Sequence, residues 1–170
     1  MQEQKEFLDK NLDSVNSWLQ FAEAKNAALI AFVVAMLAVI YGGEVINLLV
    51  LKTVITVIYV ISLFLSVISF YPKYEKNVGV CDGTYEVDDN LLFWKDISKY
   101  SVNDYLKAVS EKIFETESNR FNLVQRMYAE EIITNARIAK VKYKLFEAAT
   151  KFVALATVLL PIFIIISEYV

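Results

Sequence analysis

The chain has 170 residues, 56% of them hydrophobic, with 17 basic and 20 acidic side chains, one cysteine and no histidine. That length suits one ordinary domain, but the composition is too apolar for a soluble one. A single thiol forms no internal disulfide, the lack of histidine rules out imidazole acid–base catalysis, and together they argue against a zinc or haem site.

Residues 1–25 read as an N-terminal amphipathic helix. Leu8, Leu12, Val15, Leu19 and Ala22 step by four and three, with Trp18 and Phe21 beside that seam. Eighteen uncharged residues follow between Lys25 and Glu44. A helix rises about 1.5 Å per residue, so about 20 apolar residues cross a hydrocarbon core of about 30 Å. This run reaches that length with Phe21 and Ala22 added, and Trp18 and Tyr41 would flank it at the interfaces. The acids Glu3, Glu6, Asp9, Asp13 and Glu23 ahead of it are unlike the short basic leader of a signal peptide, so an anchor is expected.

Gly42 and Gly43 break the first span and open a tight hairpin. A second run of twenty uncharged residues lies between Lys52 and Lys73 and ends at "FYPK", where Pro72 cannot continue a helix and Tyr71 and Lys73 mark the water boundary. A transmembrane hairpin is therefore expected over 26–72.

Residues 73–150 are polar enough to stand in water. "YEKNVGVCDGTYEVDDN" reads as a loop, with a short hairpin at "CDGTYEV". A helix over 103–117 follows, capped by Ser101 or Asn103. A stem helix then starts near Ser118, with Phe121, Val124, Tyr128, Ile132, Asn135, Ala139, Tyr143, Phe146 and Thr150 stepping by four and three. Residues 74–117 carry a net charge of −5 and residues 118–151 a net charge of +4. The stem seam is expected to pack against the 103–117 helix and the N-terminal helix, as a small sensor bundle.

Sixteen uncharged residues between Lys151 and Glu168 make the third span, 151–170, which is short unless Lys151 snorkels and the bilayer thins. The fold expected is an all-α membrane protein. Three transmembrane helices carry a small cytoplasmic helical bundle, and the last helix is continuous from stem into membrane. Of the 17 basic residues, 13 lie from Lys73 to Lys151. The positive-inside rule therefore places the N-terminus and residues 73–150 in the cytoplasm.

The chain has no phosphate loop, dinucleotide fingerprint, nucleophile elbow or metal-ligand spacing, so no catalytic residue, metal site or cofactor is expected. Adjacent acids such as Asp88–Asp89 and Glu130–Glu131 read as solvated surface. Lys25, Lys73, Lys144 and Lys151 read as bases that meet anionic headgroups. Lys140 and Lys142 share the juxtamembrane run, with Lys140 further from the bilayer. Arg126, Arg137 and Lys140 stand far enough out for an anion pocket closed by Phe93, Trp94, Tyr100 and Tyr105. Aromatic rings to stack on and an arginine for phosphate are what a nucleotide needs.

Four stretches carry a resemblance: "WLQFAEAKNAALIAFVVAMLAVI", "ISLFLSVISFYPK", "LLFWKDISKYSVNDYL" and "ITNARIAKVKYKLFEAATKFVALATVLLPI". Their order resembles that of the membrane-spanning effectors of Pycsar, the bacterial anti-phage systems built around a pyrimidine cyclase. The matching elements are Ala22–Lys25 at the start of span one and Pro72–Lys73 at the end of span two. Phe93–Asp96 opens the middle, and Ala136–Tyr143 leads into the last span. The chain is similar, more distantly, to two-span effectors of cyclic-oligonucleotide defence systems.

The resemblance implies a bacterial inner-membrane protein. Its cytoplasmic part would sense a cyclic pyrimidine mononucleotide, cyclic UMP or cyclic CMP, and its spans, as a homo-oligomer, would impair the bilayer. No nucleic acid partner is implied. The rival classes are a holin-like or small channel-forming protein and a non-enzymatic scaffold that binds a protein partner. The spans hold almost no ionisable side chain, Lys52 excepted, which counts against a finished selective pore.

Overall fold

The computed structural model describes residues 2–43, 46, 48–71, 85, 86, 88–116 and 120–169. They form α1 (Gln2–Gly42), α2 (Leu49–Ile68), α3 (Trp94–Ile97), α4 (Val102–Lys112) and α5 (Leu123–Tyr169), with no strand among them. Three of these helices, α1, α2 and α5, are long and apolar enough to cross a membrane, so the protein is a multi-pass membrane protein. α5 runs without interruption from Leu123 to Tyr169 and carries Pro161 inside it. The hairpin expected at "CDGTYEV", together with Pro72 and Lys73, lies outside the described residues.

The chain divides into two compact units. The first comprises residues 1–21 and 72–141, the second residues 22–71 and 142–170, so α1 and α5 each contribute to both.

The first unit is built around one apolar core. Leu8 and Val15 of α1 meet Tyr105, Leu106 and Val109 of α4 and Ala129, Ile132, Ile133 and Ala136 of α5. This is the packing expected for the stem, but its seam is rotated. Val124 is exposed and Tyr128 and Asn135 are half-buried, whereas Ala129, Ile133 and Ala136 are buried. Alanine lets α5 approach its neighbours closely, and the larger Tyr and Phe side chains lie along the flanks. Asn135 donates to Asn16 Oδ1 at 2.8 Å from such a flank.

Helix ends follow local chemistry. Ser101 Oγ accepts from the Asp104 N–H at 3.2 Å and caps α4, as the sequence suggested. α4 stops at Lys112, short of residue 117, because Glu115 adopts φ 50° and the Thr116 N–H turns back to the Ser110 carbonyl at 2.9 Å. α5 begins at Leu123 behind a reciprocal cap. The Asn122 side chain accepts from the Gln125 N–H at 2.8 Å, and Gln125 Oε1 accepts from the Asn122 N–H at 3.0 Å.

The second unit is a three-helix apolar bundle around Val33, Ile40, Ile55, Tyr59, Val153 and Leu160. Its buried positions repeat every seven residues: Asn26, Val33 and Ile40 on α1, Ile55 and Ser62 on α2 with Ser69 at its C-cap, and Lys142, Ala149 and Ala156 on α5. That is the periodicity of knobs-into-holes packing. Outward positions such as Val57, Phe64 and Val67 are exposed and apolar, which suits lipid.

Candidate functional site

In the first unit the functional candidates gather where α3 turns into α4. Tyr105 is fully buried; its hydroxyl meets the Asn11 side-chain amide and lies 3.5 Å from the Leu91 carbonyl, to which Asn11 Nδ2 also donates at 2.9 Å. Burial pushes the Tyr105 hydroxyl well above its ordinary pKa, and the bond to Asn11 opposes this only in part. Tyr105 packs edge-on to Tyr100, and Tyr100 stacks on Tyr85 at 4.8 Å between ring centres. Burial first, then the charge of Asp89, raises Tyr100 to about 12.

Arg137 of α5 fastens this junction. Its Nε donates to the Ser98 carbonyl at 3.2 Å and its Nη2 to the Tyr100 carbonyl at 2.8 Å. Phe93 and Trp94 are half-buried, 5.3 Å apart, with Trp18 edge-on to Phe93 at 6.2 Å. Trp18, expected at the membrane interface, thus packs within this unit. Lys140 follows Arg137 by one turn and is half-buried. Arg126 is exposed and, eleven residues before Arg137, lies about 16 Å away along α5, so it does not join the group.

A groove of about 340 Å³ is lined by Tyr85 and Tyr100 together with Asp104, Lys107, Glu111 and Lys112. Three acids, Glu86 included, outnumber its two lysines, which does not favour an anion. Sequence spacing gave no sign of it, because Tyr85 lies in a stretch without periodicity.

The Lys99 ammonium meets Asp89 at 2.5 Å and Asp96 at 3.2 Å. Burial works to raise Asp89. The hydrogen bonds from Lys99 and the Glu86 N–H, with the charges of Lys99 and Lys112, outweigh it and leave the carboxyl below the ordinary 3.8. The Asp89 contribution to stability is therefore fully present above about pH 3.8 and is lost as pH falls through its folded pKa. Lys99 is raised to about 12, chiefly by Asp89, so its contribution is present below pH 10.5 and lost as pH rises through about 12. Both tryptophans lie in this unit, so its acid unfolding is readable by fluorescence. Asp89→Asn should be less stable than wild type at neutral pH and should converge with it at low pH. A constant gap between the two acid titrations would contradict the assignment.

In the second unit the basic residues divide sharply. Lys144 and Lys151 are exposed, Lys151 pairing with Glu147 one turn back at 2.7 Å, as befits bases near headgroups. Lys25 lies over the rings of Tyr143 and Phe146, at 5.4 and 5.5 Å. Lys142 is buried. Its ammonium contacts Glu23 Oε1 at 2.9 Å and the Ser69 carbonyl at 2.9 Å, and lies 5.6 Å from the centre of the Phe70 ring. It ties α1, α2 and α5 together, and sequence reading grouped it with its exposed neighbours. A signal was present: residues two apart on a helix differ by about 200° in direction. Lys140 and Lys144 therefore share one face, and Lys142 points the opposite way.

Among the described residues no cluster of three or more potential metal ligands occurs. Residues 7–167 match PycTM, the Pycsar effector protein domain. The chain belongs to the Pycsar transmembrane effector family. No curated protein and no solved structure matches it. Membership implies an anti-phage effector that acts by disrupting the membrane, and three long apolar helices are the equipment for that role. For a PycTM protein, the two units separate a polar candidate region from a bundle with the character of a membrane-embedded element.

Proposed function

We propose that this PycTM protein is a gated anti-phage effector of the bacterial inner membrane. Its polar part, residues 73–150 with the N-terminal helix 1–25, faces the cytoplasm and senses a cyclic pyrimidine mononucleotide, cyclic UMP or cyclic CMP. The hairpin 26–72 and the segment 151–170 cross the bilayer and act as a homo-oligomer. The observation that carries this reading is the family match over 7–167, combined with the presence in one chain of a folded helical unit and three apolar spans. The orientation follows from the 13 basic residues between Lys73 and Lys151.

The ligand would lie beside the α3–α4 junction. Phe93 and Trp94 offer ring faces to a pyrimidine, and Lys140 offers charge to its phosphate. Arg137 and Tyr105 act as positioning residues, and Arg126 sits too far along α5 to touch the same ligand. Binding lowers the free energy of whichever arrangement of α5 holds the nucleotide better, and a shared helix carries that preference toward the third span. Lys25, Lys73, Lys144 and Lys151 meet headgroups.

Calorimetry on the detergent-solubilised protein with cyclic UMP, cyclic CMP and cyclic AMP tests the sensing step. A cyclic pyrimidine should bind and cyclic AMP should not. Trp94→Ala and Lys140→Ala should each weaken binding at least tenfold with secondary structure unchanged. Wild-type affinity in both variants would remove the site, and no binding by any nucleotide would remove the sensing.

A further inference from the structure

Inside the membrane bundle, the α1–α2–α5 contacts fix a level-by-level register. At one end Glu23, Ser69 and Lys142 meet. One turn deeper come Asn26, three residues on from Glu23, and Ser66, three before Ser69. At the next level Ser62 Oγ donates to the Ala149 carbonyl at 2.9 Å, beside Thr150. Deeper still, around Tyr59 and Thr157, the interior becomes apolar, with Val33, Ile40, Ile55, Ala156 and Leu160. From Lys142 to Thr150 the polar part is about 12 Å deep.

Four polar atoms in this part are buried without a partner: Asn26 Oδ1, Ser66 Oγ, Ser69 Oγ and Thr150 Oγ1. Elsewhere in the same bundle Thr53, Thr56 and Thr157 return their hydroxyls to the carbonyl four residues back, at 2.8 Å each. Ser66 and Thr150 do not. Buried hydroxyls and amides left unmade cost stability, and alanine or valine would fill the same space without that cost. Among the described residues of this unit the unpartnered polar atoms lie at one end, whereas Ser167, buried toward the other, gives its hydroxyl to the Ile164 carbonyl at 3.0 Å. Such a one-ended cluster on the inward face of a membrane bundle fits contact with water.

We propose that this seam is a water-holding vestibule and becomes the inner wall of the path along which water and small ions cross when the effector acts. The apolar segment around Val33, Ile55 and Leu160 is the barrier that closes it at rest. The inference rests on the effector reading above, which supplies the opening step.

The test uses full-length protein in liposomes on a Cys81→Ser background, which removes the single native thiol. Ser66→Cys and Thr150→Cys on the inward face are compared with Val67→Cys, which is exposed toward lipid. Dye leakage is provoked with cyclic UMP and cyclic CMP in parallel, and a cationic methanethiosulfonate is then added. Leakage through the two inward variants should fall at least fivefold, with Val67→Cys unaffected. A block at Val67→Cys alone would place the path on the outer face, between copies, and overturn the proposal.

If neither nucleotide provokes leakage in verified proteoliposomes, the sensing reading fails, and the resting bundle decides the vestibule by itself. The Ser66→Ala/Thr150→Val variant should melt several degrees higher than wild type. An unchanged or lower melting temperature would overturn the claim that these polar groups are held against the bundle's own stability.

Discussion

Replacing Arg137 by alanine should lower the stability of the first unit by about 3 kcal/mol. The guanidinium makes two charge-assisted bonds, to the Ser98 carbonyl at 3.2 Å and the Tyr100 carbonyl at 2.8 Å. Ser98 and Tyr100 are buried, so the loss leaves two carbonyls without their donor and with little water to replace it. Hydrogen bonds to charged groups contribute about 1.5–3 kcal/mol each, and the two here share one side chain, so they do not add fully. Arg137→Lys should recover less than half of the loss, because an ammonium cannot reproduce a planar fork spanning two carbonyls. Denaturant titration followed by the fluorescence of Trp18 and Trp94 reads this unit directly. A midpoint equal to wild type for Arg137→Ala would show that the α3–α4 junction holds without it.

Lys142→Met should loosen the membrane bundle and let the protein leak without a signal. Removing one partner of a fully buried ion pair costs about 3–5 kcal/mol. The Glu23 side chain is 45% exposed while that of Lys142 is 11% exposed, so Glu23 regains water and about 2–3 kcal/mol is the better expectation. The Ser69 carbonyl loses its donor as well. Methionine keeps the volume of the lysine stem, so a lost contact, not a cavity, is what the variant measures. Toxicity on expression in cells that make no cyclic nucleotide should rise well above wild type. Glu23→Gln should follow in the same direction but more weakly, since its carbonyl can still accept from Lys142. Wild-type behaviour in both variants would remove Lys142 as the tie that keeps the resting state closed.

Much of the architecture was legible from the spacing of charges. The uncharged runs after Lys25, Lys52 and Lys151 mark the three apolar helices, and the glycine pair marks the end of α1 at Gly42. The N-terminal seam was readable because Leu8, Val15 and Ala22 alternate cleanly with charges. The stem seam is legible only in part: Ile132 and Ala139 are buried as expected, but Ala129 and Ala136 also turn inward, and they carry little hydropathy signal beside Tyr128, Tyr143 and Phe146. Size, not polarity, chose which side turned inward.

The candidate site was less legible. Arg137 and the aromatic residues Phe93, Trp94 and Tyr105 do gather in one unit, but Arg126 stands apart because eleven residues of helix separate it from Arg137. The carbonyls that take the Arg137 donors belong to residues 98 and 100, and no side-chain pattern advertises a backbone acceptor. Lys142 and Glu23 are paired across 119 positions of sequence, so only the helical direction of Lys142 hinted at its burial.

The central claim, that a cyclic pyrimidine mononucleotide converts this protein from an inert bundle into a membrane-disrupting one, is tested most directly by dye release. Purified full-length protein is inserted into liposomes, its insertion is verified, and release is followed with cyclic UMP, cyclic CMP, cyclic AMP or no nucleotide. Release with cyclic UMP or cyclic CMP, and with neither cyclic AMP nor buffer, is the predicted result. Equal release in all four samples would contradict gating and make the protein a holin-like pore. Silence in all four would contradict the sensing of a cyclic pyrimidine mononucleotide.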